Sequence, residues 1–274
     1  MDDPTKVPDD PMAALAARAL RGDARATEAL CRELQGPLYR LSVRLLQDVE
    51  DAREATQEAL ILVLTHLSTF RGDSRLLTWA YRIALRHALH TRRDRDRSRS
   101  QLALELKIRA GLLLTASEPA DGVESAVEQR ETSLGCTRAM LHCLSMDERA
   151  TIVLAEILGA DDELGAQLCG VPGVTYRKRL SRARAKLRPI LEGLCGLTDE
   201  ANPCSCERQS RAKALVGQKK RALPLVAEGE VVAAAERLGE VRRLGAVLAG
   251  PGAIVPPEDL WKQVKTRLAP VLGA

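Results

Sequence analysis

The residues of this 274-residue chain that could do chemistry are charges and thiols, and they come in blocks. From Thr175 to Arg188 the chain carries Arg177, Lys178, Arg179, Arg182, Arg184, Lys186 and Arg188 with no acid among them. Arg86–Arg99 holds six arginines against Asp94 and Asp96. Asp48–Glu58 is the reverse: Asp48, Glu50, Asp51, Glu54 and Glu58 face a single Arg53. Basic blocks suit contacts with a polyanion and an acidic block suits a separate protein surface, although any one such run can equally be a solvated helix face. Behind the basic stretch lie Cys195, Cys204 and Cys206. Three thiolates there could bind zinc or another soft metal with a fourth ligand from elsewhere, or close a redox-switched disulfide; inert structural thiols are the third reading. Cys143 and Cys169 read as small apolar core residues, and Cys31 and Cys136 carry no signal. The four histidines (His66, His87, His90, His142) stand at no recognisable spacing to a Ser or Cys, and no Gly-rich phosphate loop occurs, so the chain reads as a non-enzyme with no required cofactor.

The elements that must position these groups are helices. Aromatics make up only 2% of the chain, so Leu, Ala and Val must build the core, and a β-sandwich, which favours aromatic and β-branched residues, is disfavoured. The start of the chain is acidic and no long apolar run exists, which excludes a signal peptide and a membrane span. Seven cysteines, an odd number scattered through a leaderless chain, point to reduced thiols and a cytoplasmic protein.

Leu34, Leu38, Leu41 and Leu45 recur as a buried helical stripe after a Gly22-Asp23 break. Ala52, Ala55, Ala59 and Leu62 mark a second helix, with Asp51, Glu54 and Glu58 on another face. Phe70-Arg71-Gly72-Asp73-Ser74 is a turn, and a third helix starts near Leu76 with Trp79, Ile83 and His87 along one side. From Asp94 to Gln129 periodicity fades, with a linker signal at Ser117–Gly122. A second helical unit runs from Thr132 to Leu191, where Ser145 and Glu148 form a capping box. After Gly193 come the cysteines and helical segments around Arg211–Ala227, Gly229–Leu248 and Pro257–Leu272. The expected class is all-α: residues 12–97 and 132–192 as two helical domains, 98–131 as linker and 193–274 as a helical, cysteine-containing extension.

Residues Ile157–Arg188 carry the sharpest pattern. A helix ends at Gly159, Asp161 caps a short one through Leu168, and Gly170 sits where a tight turn needs a left-handed residue. Thr175 then opens a helix whose exposed positions are nearly all Arg or Lys. In a helix-turn-helix the second helix enters the major groove, its early residues meeting base edges while basic neighbours neutralise phosphates. Thr175, Arg177, Lys178, Ser181 and Arg182 are the candidates for base or nearby phosphate contact; Arg184, Lys186 and Arg188 read as backbone contacts. A plain cationic surface helix is the alternative.

Thr175-Tyr176-Arg177-Lys178-Arg179-Leu180-Ser181-Arg182-Ala183-Arg184-Ala185-Lys186-Leu187 resembles the recognition helix in region 4 of extracytoplasmic-function (ECF) sigma factors, a group of the sigma-70 family. It departs from the family at Val174 for the usual Gly, Tyr176 for a Val, Gly165 for an Ile and Cys169 for a Leu. Asp48-Val49-Glu50-Asp51-Ala52 with Gln57-Glu58-Ala59 resembles region 2.2, and Phe70–Ser74 with Thr78–Ala84 resembles regions 2.3 and 2.4. The resemblance covers roughly Leu15–Arg97 and Gly135–Leu191, with no counterpart of regions 1.1 and 3.

The resemblance implies an alternative sigma factor that binds core RNA polymerase, through its β′ and β subunits, and recognises promoter DNA at −35 and −10 elements. It implies that Asp48, Asp51, Glu54, Gln57 and Glu58 meet a basic coiled coil of β′, with Asp48 equally readable as a helix-start acid. The loop of Ser68, Phe70, Arg71, Asp73 and Ser74 would capture an unstacked base of the −10 element, and Arg82, Arg86 and His90, every fourth residue, would follow the strand. Trp79 reads as core before base contact. The cysteines resemble a tail motif of some ECF subgroups, and an anti-sigma factor is a further conceivable partner. Two competing readings are a helix-turn-helix regulator acting without polymerase and a polymerase-binding adaptor that reads no promoter.

Overall fold

The structure is a computed structural model, and it describes residues 10–92, 101–116, 126–216, 225–226, 253–254, 256–257, 260 and 263–267. Ten α-helices are described: α1 (Pro11–Ala19), α2 (Ala24–Leu46), α3 (Val49–Thr65), α4 (Leu76–Arg92), α5 (Gln101–Leu114), α6 (Ala126–His142), α7 (Met146–Ile152), α8 (Asp162–Cys169), α9 (Gly173–Leu191) and α10 (Cys206–Leu215). The class is all-α, as expected; the extended backbone consists of two-residue stretches at Leu225–Val226 and Ala253–Ile254. Leu225–Val226 falls inside the span expected to be helical to Ala227, and α10 ends at Leu215 instead. The expected helix at Gly229–Leu248 lies outside the described residues.

The chain forms two compact units. The first holds α1–α4 together with the described residues from Ile254 on; the second holds α5–α7, most of α8, α9 and α10, with residues 167–170 grouping with the first. The first unit is a bundle in which α2 packs on α1, α3 and α4. The Leu34, Leu38, Leu41 and Leu45 stripe is at most 1% exposed, and each such leucine contributes about 2 kcal/mol by leaving water. That burial carries α2 through Pro37, which would cost about 3 kcal/mol in an isolated helix. Carboxylates start these helices. Asp23 accepts from the Ala26 N–H at 3.0 Å, and Asp48 from the Glu50 and Asp51 N–H groups at 3.0 and 3.2 Å. Asp10 serves two helices, accepting from Met12 N of α1 at 3.1 Å and from Leu76 N of α4 at 2.6 Å.

In the second unit Ser145 and Glu148 form the expected capping box of α7. The helix then widens into a π-turn at Val153–Ile157 and stops at Gly159, whose φ of +68° suits a residue without Cβ. Helix α5 occupies the stretch read as linker, and α6 begins at Ala126 rather than near Thr132. The periodicity of α5 is weak for a physical reason: Leu102, Leu106 and Leu113 share an exposed face while Ile108 is buried on another, so its apolar residues do not gather on one side. The extension is no separate body among the described residues. Helix α10 packs on α5 and α6, where Gln209 donates to the Ile108 carbonyl at 2.9 Å.

Candidate nucleic-acid and polymerase interfaces

The helix-turn-helix consists of α8, the Gly170 turn and α9. Asp161 accepts from Leu164 N at 2.8 Å to start α8, and Gly170 has the left-handed φ of +66° that its place in the turn requires. Along α9 the inward positions Tyr176, Leu180, Ala183, Leu187, Ile190 and Leu191 are buried. Arg177, Lys178, Ser181 and Arg182 are exposed and Thr175 is half-buried.

Two of the family departures belong together. Gly165 on α8 lies directly under the Tyr176 ring, which occupies the space a Cβ at Gly165 would take. Tyr176 is fully buried and its hydroxyl donates to the Thr151 carbonyl at 3.3 Å. The large ring at one position and the missing side chain at the other fill one volume.

Arg184 and Lys186, read from the sequence as backbone contacts, also hold acids, with 40% and 44% of their side chains exposed. Arg184 is bound to Glu156 of the π-turn at 2.6 Å, and Lys186 to Glu148 at 2.7 Å. Arg179 pairs with Asp147 at 3.3 Å. These acids stand on the segment against which α9 packs, so three of the seven basic residues fasten this helix while Arg177, Lys178 and Arg182 face outward. Burial pushes the Glu148 carboxyl up, but Lys186 and the Ser145 N–H outweigh it and leave it below the ordinary value. A further anchor left no trace in the sequence pattern. Arg149 is 2% exposed and donates to the carbonyls of Leu141 at 2.9 Å and Leu144 at 3.1 Å.

In the first unit the loop Ser68–Ser74 leaves α3 through a short 3-10 turn, Leu67–Thr69. Ser68, Arg71 and Asp73 are exposed and Ser74 is half-buried. Phe70 is half-buried, its ring 5.5 Å from that of Trp79. Trp79 is 6% exposed, in the core. On α4, Arg82 is half-buried while Arg86 and His90 are exposed.

On α3, Glu54 is exposed, and Asp48 and Asp51 are half-buried. Glu58 accepts from or pairs with His87 at 2.6 Å, a partner that spacing did not reveal. Gln57, which the sequence places on an open face, is only 7% exposed. The reason is the end of the chain: Gln57 Nε2 donates to Oε1 of Gln263, 206 residues further on.

The cysteines converge with one member the sequence did not signal. Cys195 and Cys204 sit side by side, with Gly196 N donating to the Cys204 carbonyl at 2.8 Å and Cys204 N to that of Leu194 at 3.0 Å. Cys206 opens α10. Burial first, then the neighbouring Cys136, Cys195 and Cys206, pushes the Cys204 thiol up to about 12; burial, with Cys136 and Cys195, pushes Cys206 up to about 11. Cys136 of α6 is likewise raised by burial. Among the described residues no group of three or more His, Cys, Asp or Glu is disposed to hold a metal ion. At pH 8 roughly one in a thousand or fewer of the Cys204 and Cys206 thiols is ionised. Their alkylation by iodoacetamide, followed by mass spectrometry, is therefore expected to be slow at pH 8 and to rise about tenfold per pH unit toward pH 10. Fast labelling at pH 8 would contradict it. Cys143 and Cys169 are buried, as read from the sequence.

A helical bundle followed by a helix-turn-helix with an outward basic face defines a DNA-reading protein of two parts. Comparison with known proteins names the class. The Sigma-70 region 2 family matches residues 30–98. The RNA polymerase sigma-H factor of Pseudomonas aeruginosa is 31% identical over 190 residues, covering 66% of this chain and 93% of that protein. The ECF RNA polymerase sigma factor SigC of Mycobacterium tuberculosis is 32% identical over 65% of this chain and 90% of its own. The ECF sigma factor SigW of Bacillus subtilis is 30% identical over 64% and 93%. The chain belongs to the ECF group of the sigma-70 family of RNA polymerase sigma factors. Among the described residues no helix is long and apolar enough to cross a membrane.

Proposed function

We propose that this alternative sigma factor binds core RNA polymerase through α3 and reads promoter DNA through α4, the loop before it and α9. It supplies recognition while the polymerase supplies the chemistry, in the cytoplasm, without a catalytic site or required cofactor of its own. The assignment of 12–97 to docking and the −10 element, and of 132–192 to the −35 element, follows the resemblance.

The observation that supports the DNA reading best is the division of labour on α9. Arg179, Arg184 and Lys186 are held by carboxylates, while Arg177, Lys178, Ser181 and Arg182 are exposed on the early turns. A helix N-terminal half with free guanidinium forks is what base-edge recognition in a major groove requires. For the first unit, Asp51, Glu54 and Glu58 share α3 with Gln57, and Asp48 serves as its N-cap, so Asp48 acts on docking through the helix start. Ser68, Phe70, Arg71, Asp73 and Ser74 would hold the flipped base, with Phe70 anchored on Trp79, and Arg82, Arg86 and His90 would track the strand. For the cysteines we favour a half-buried thiol cluster of Cys136, Cys195, Cys204 and Cys206 that ties the end of α9 to α6 and α10.

The test is promoter use on a −35 sequence selected from a random library. Arg177→Ala and Arg182→Ala are each expected to cost about 1–3 kcal/mol with changed preference at one base pair. Arg188→Ala, an exposed residue with Glu192 at 3.3 Å, should weaken binding slightly and without sequence preference. Equal, sequence-blind losses at all three would reduce α9 to a cationic surface.

A further inference from the structure

Gln57 lies on the face of α3 that the proposed function gives to the polymerase, and at this position the face is covered by the chain itself, while Glu54 stays exposed. The described residues from Ile254 on, among them Leu260 and 263–267, group with the α1–α4 bundle and not with the second unit that precedes them in the chain. Within that segment Leu260 and Val264, four residues apart on one helical face, are both 0% exposed. Polar contacts flank them. Gln35 Nε2 of α2 donates to the Pro257 carbonyl at 3.4 Å, and Gln57 Nε2 of α3 donates to Gln263 Oε1. Leu260 N donates to the Pro257 carbonyl at 3.1 Å, opening the helical turn that carries the segment across. The chemistry of the segment matches the face it covers. Its acids, Glu258 and Asp259, lie at its start, and from Trp261 to Leu268 it carries Lys262, Lys265 and Arg267, whereas α3 carries Asp51, Glu54 and Glu58. Lys265 and Arg267 are exposed. A short basic helix with an apolar stripe is also the kind of surface expected of the polymerase coiled coil that this face awaits.

We propose that the C-terminal segment around Pro257–Arg267 is the resting occupant of the polymerase-docking face, so that tail and polymerase compete for α3. The proposal rests on the reading of α3 as the docking face. Competition makes the apparent affinity for core the intrinsic affinity multiplied by the fraction of molecules with the tail undocked. Any agent that withdraws the tail then activates the factor without touching either DNA-reading element.

Two measurements on the full chain test this. First, Leu260→Asp with Val264→Asp places carboxylates against the acidic helix and should undock the segment; its affinity for core polymerase is expected to rise about tenfold or more. Glu58→Lys, alone and combined with the tail variant, is run beside it. If Glu58→Lys weakens core binding in both backgrounds but the tail variant binds no tighter than wild type, the tail proposal fails and the docking face stands. If Glu58→Lys changes nothing in either background, the docking reading fails and takes the proposal with it. Second, hydrogen exchange is measured on the wild-type chain, free and bound to core, which avoids any variant that fails to fold. Amides of 263–267 should lose protection as α3 gains it. Undiminished protection of 263–267 in the complex would overturn the proposal.

Discussion

Gly165→Ile is expected to destabilise the helix-turn-helix by about 3 kcal/mol, although it installs the residue that related sequences prefer and removes a helix-interior glycine. Exchanging glycine for a better helix former gains up to about 1 kcal/mol. The Tyr176 ring already fills the space of the new side chain. It cannot swing aside cheaply, because it is fully buried and its hydroxyl is bonded to the Thr151 carbonyl. Overpacking of this kind typically costs about 1–3 kcal/mol, and more where the displaced group also loses a hydrogen bond. The discriminating variant is the double exchange Gly165→Ile with Tyr176→Val, which empties the ring's volume as the isoleucine fills it. Most of the lost stability should return, a coupling of about 2 kcal/mol. Hydrogen exchange of the α9 amides reads the local stability of this unit without assuming that the whole chain unfolds in one step. Additive losses in the double variant would show that the two positions do not share a volume.

Arg149→Ala should cost more, about 3–5 kcal/mol, by the same readout. The guanidinium is 2% exposed and bonds the carbonyls of Leu141 and Leu144, where α6 ends and its last carbonyls have no helical partner. Removing it strands the buried Leu144 carbonyl at about 1–3 kcal/mol, leaves the Leu141 carbonyl with the Leu144 N–H at 3.2 Å, and opens a cavity where the long side chain stood. Arg149→Lys should recover little, since one ammonium cannot reproduce two bonds from a planar fork. A cost below about 1 kcal/mol for Arg149→Ala would mean that water replaces the side chain.

The features legible in the sequence are those fixed by neighbours along the chain. Leu34, Leu38, Leu41 and Leu45 reveal α2 through their spacing, Ser145 and Glu148 reveal the start of α7 through reciprocal capping, and Gly170 reveals the turn through its backbone freedom. Arg177, Lys178, Ser181 and Arg182 are readable as an outward face because they come as two pairs, directly after the apolar positions Tyr176 and Leu180 of the same helix. The remainder depends on partners far off in the chain. Nothing near Arg184 and Lys186 in sequence announces Glu156 and Glu148, the acids they hold. Gly165 and Tyr176 each look like a defect until they meet. Cys136 has no spacing relation to the other thiols, and Gln57 reads as open because nothing near it in sequence announces Gln263. α5 was missed because its apolar residues do not keep to one face, which is the signal periodicity needs.

Run-off transcription with core RNA polymerase tests the central claim most directly. The template carries a promoter selected by the chain, and the wild-type protein is compared with the Leu260→Asp/Val264→Asp variant. A sigma factor must give a transcript of defined start that core alone does not produce, abolished by substitution of the −35 sequence. The tail-undocked variant should give more of it at equal concentration. A chain that binds the promoter yet yields no transcript above core alone in either form would contradict the account and leave a DNA-binding regulator without a polymerase.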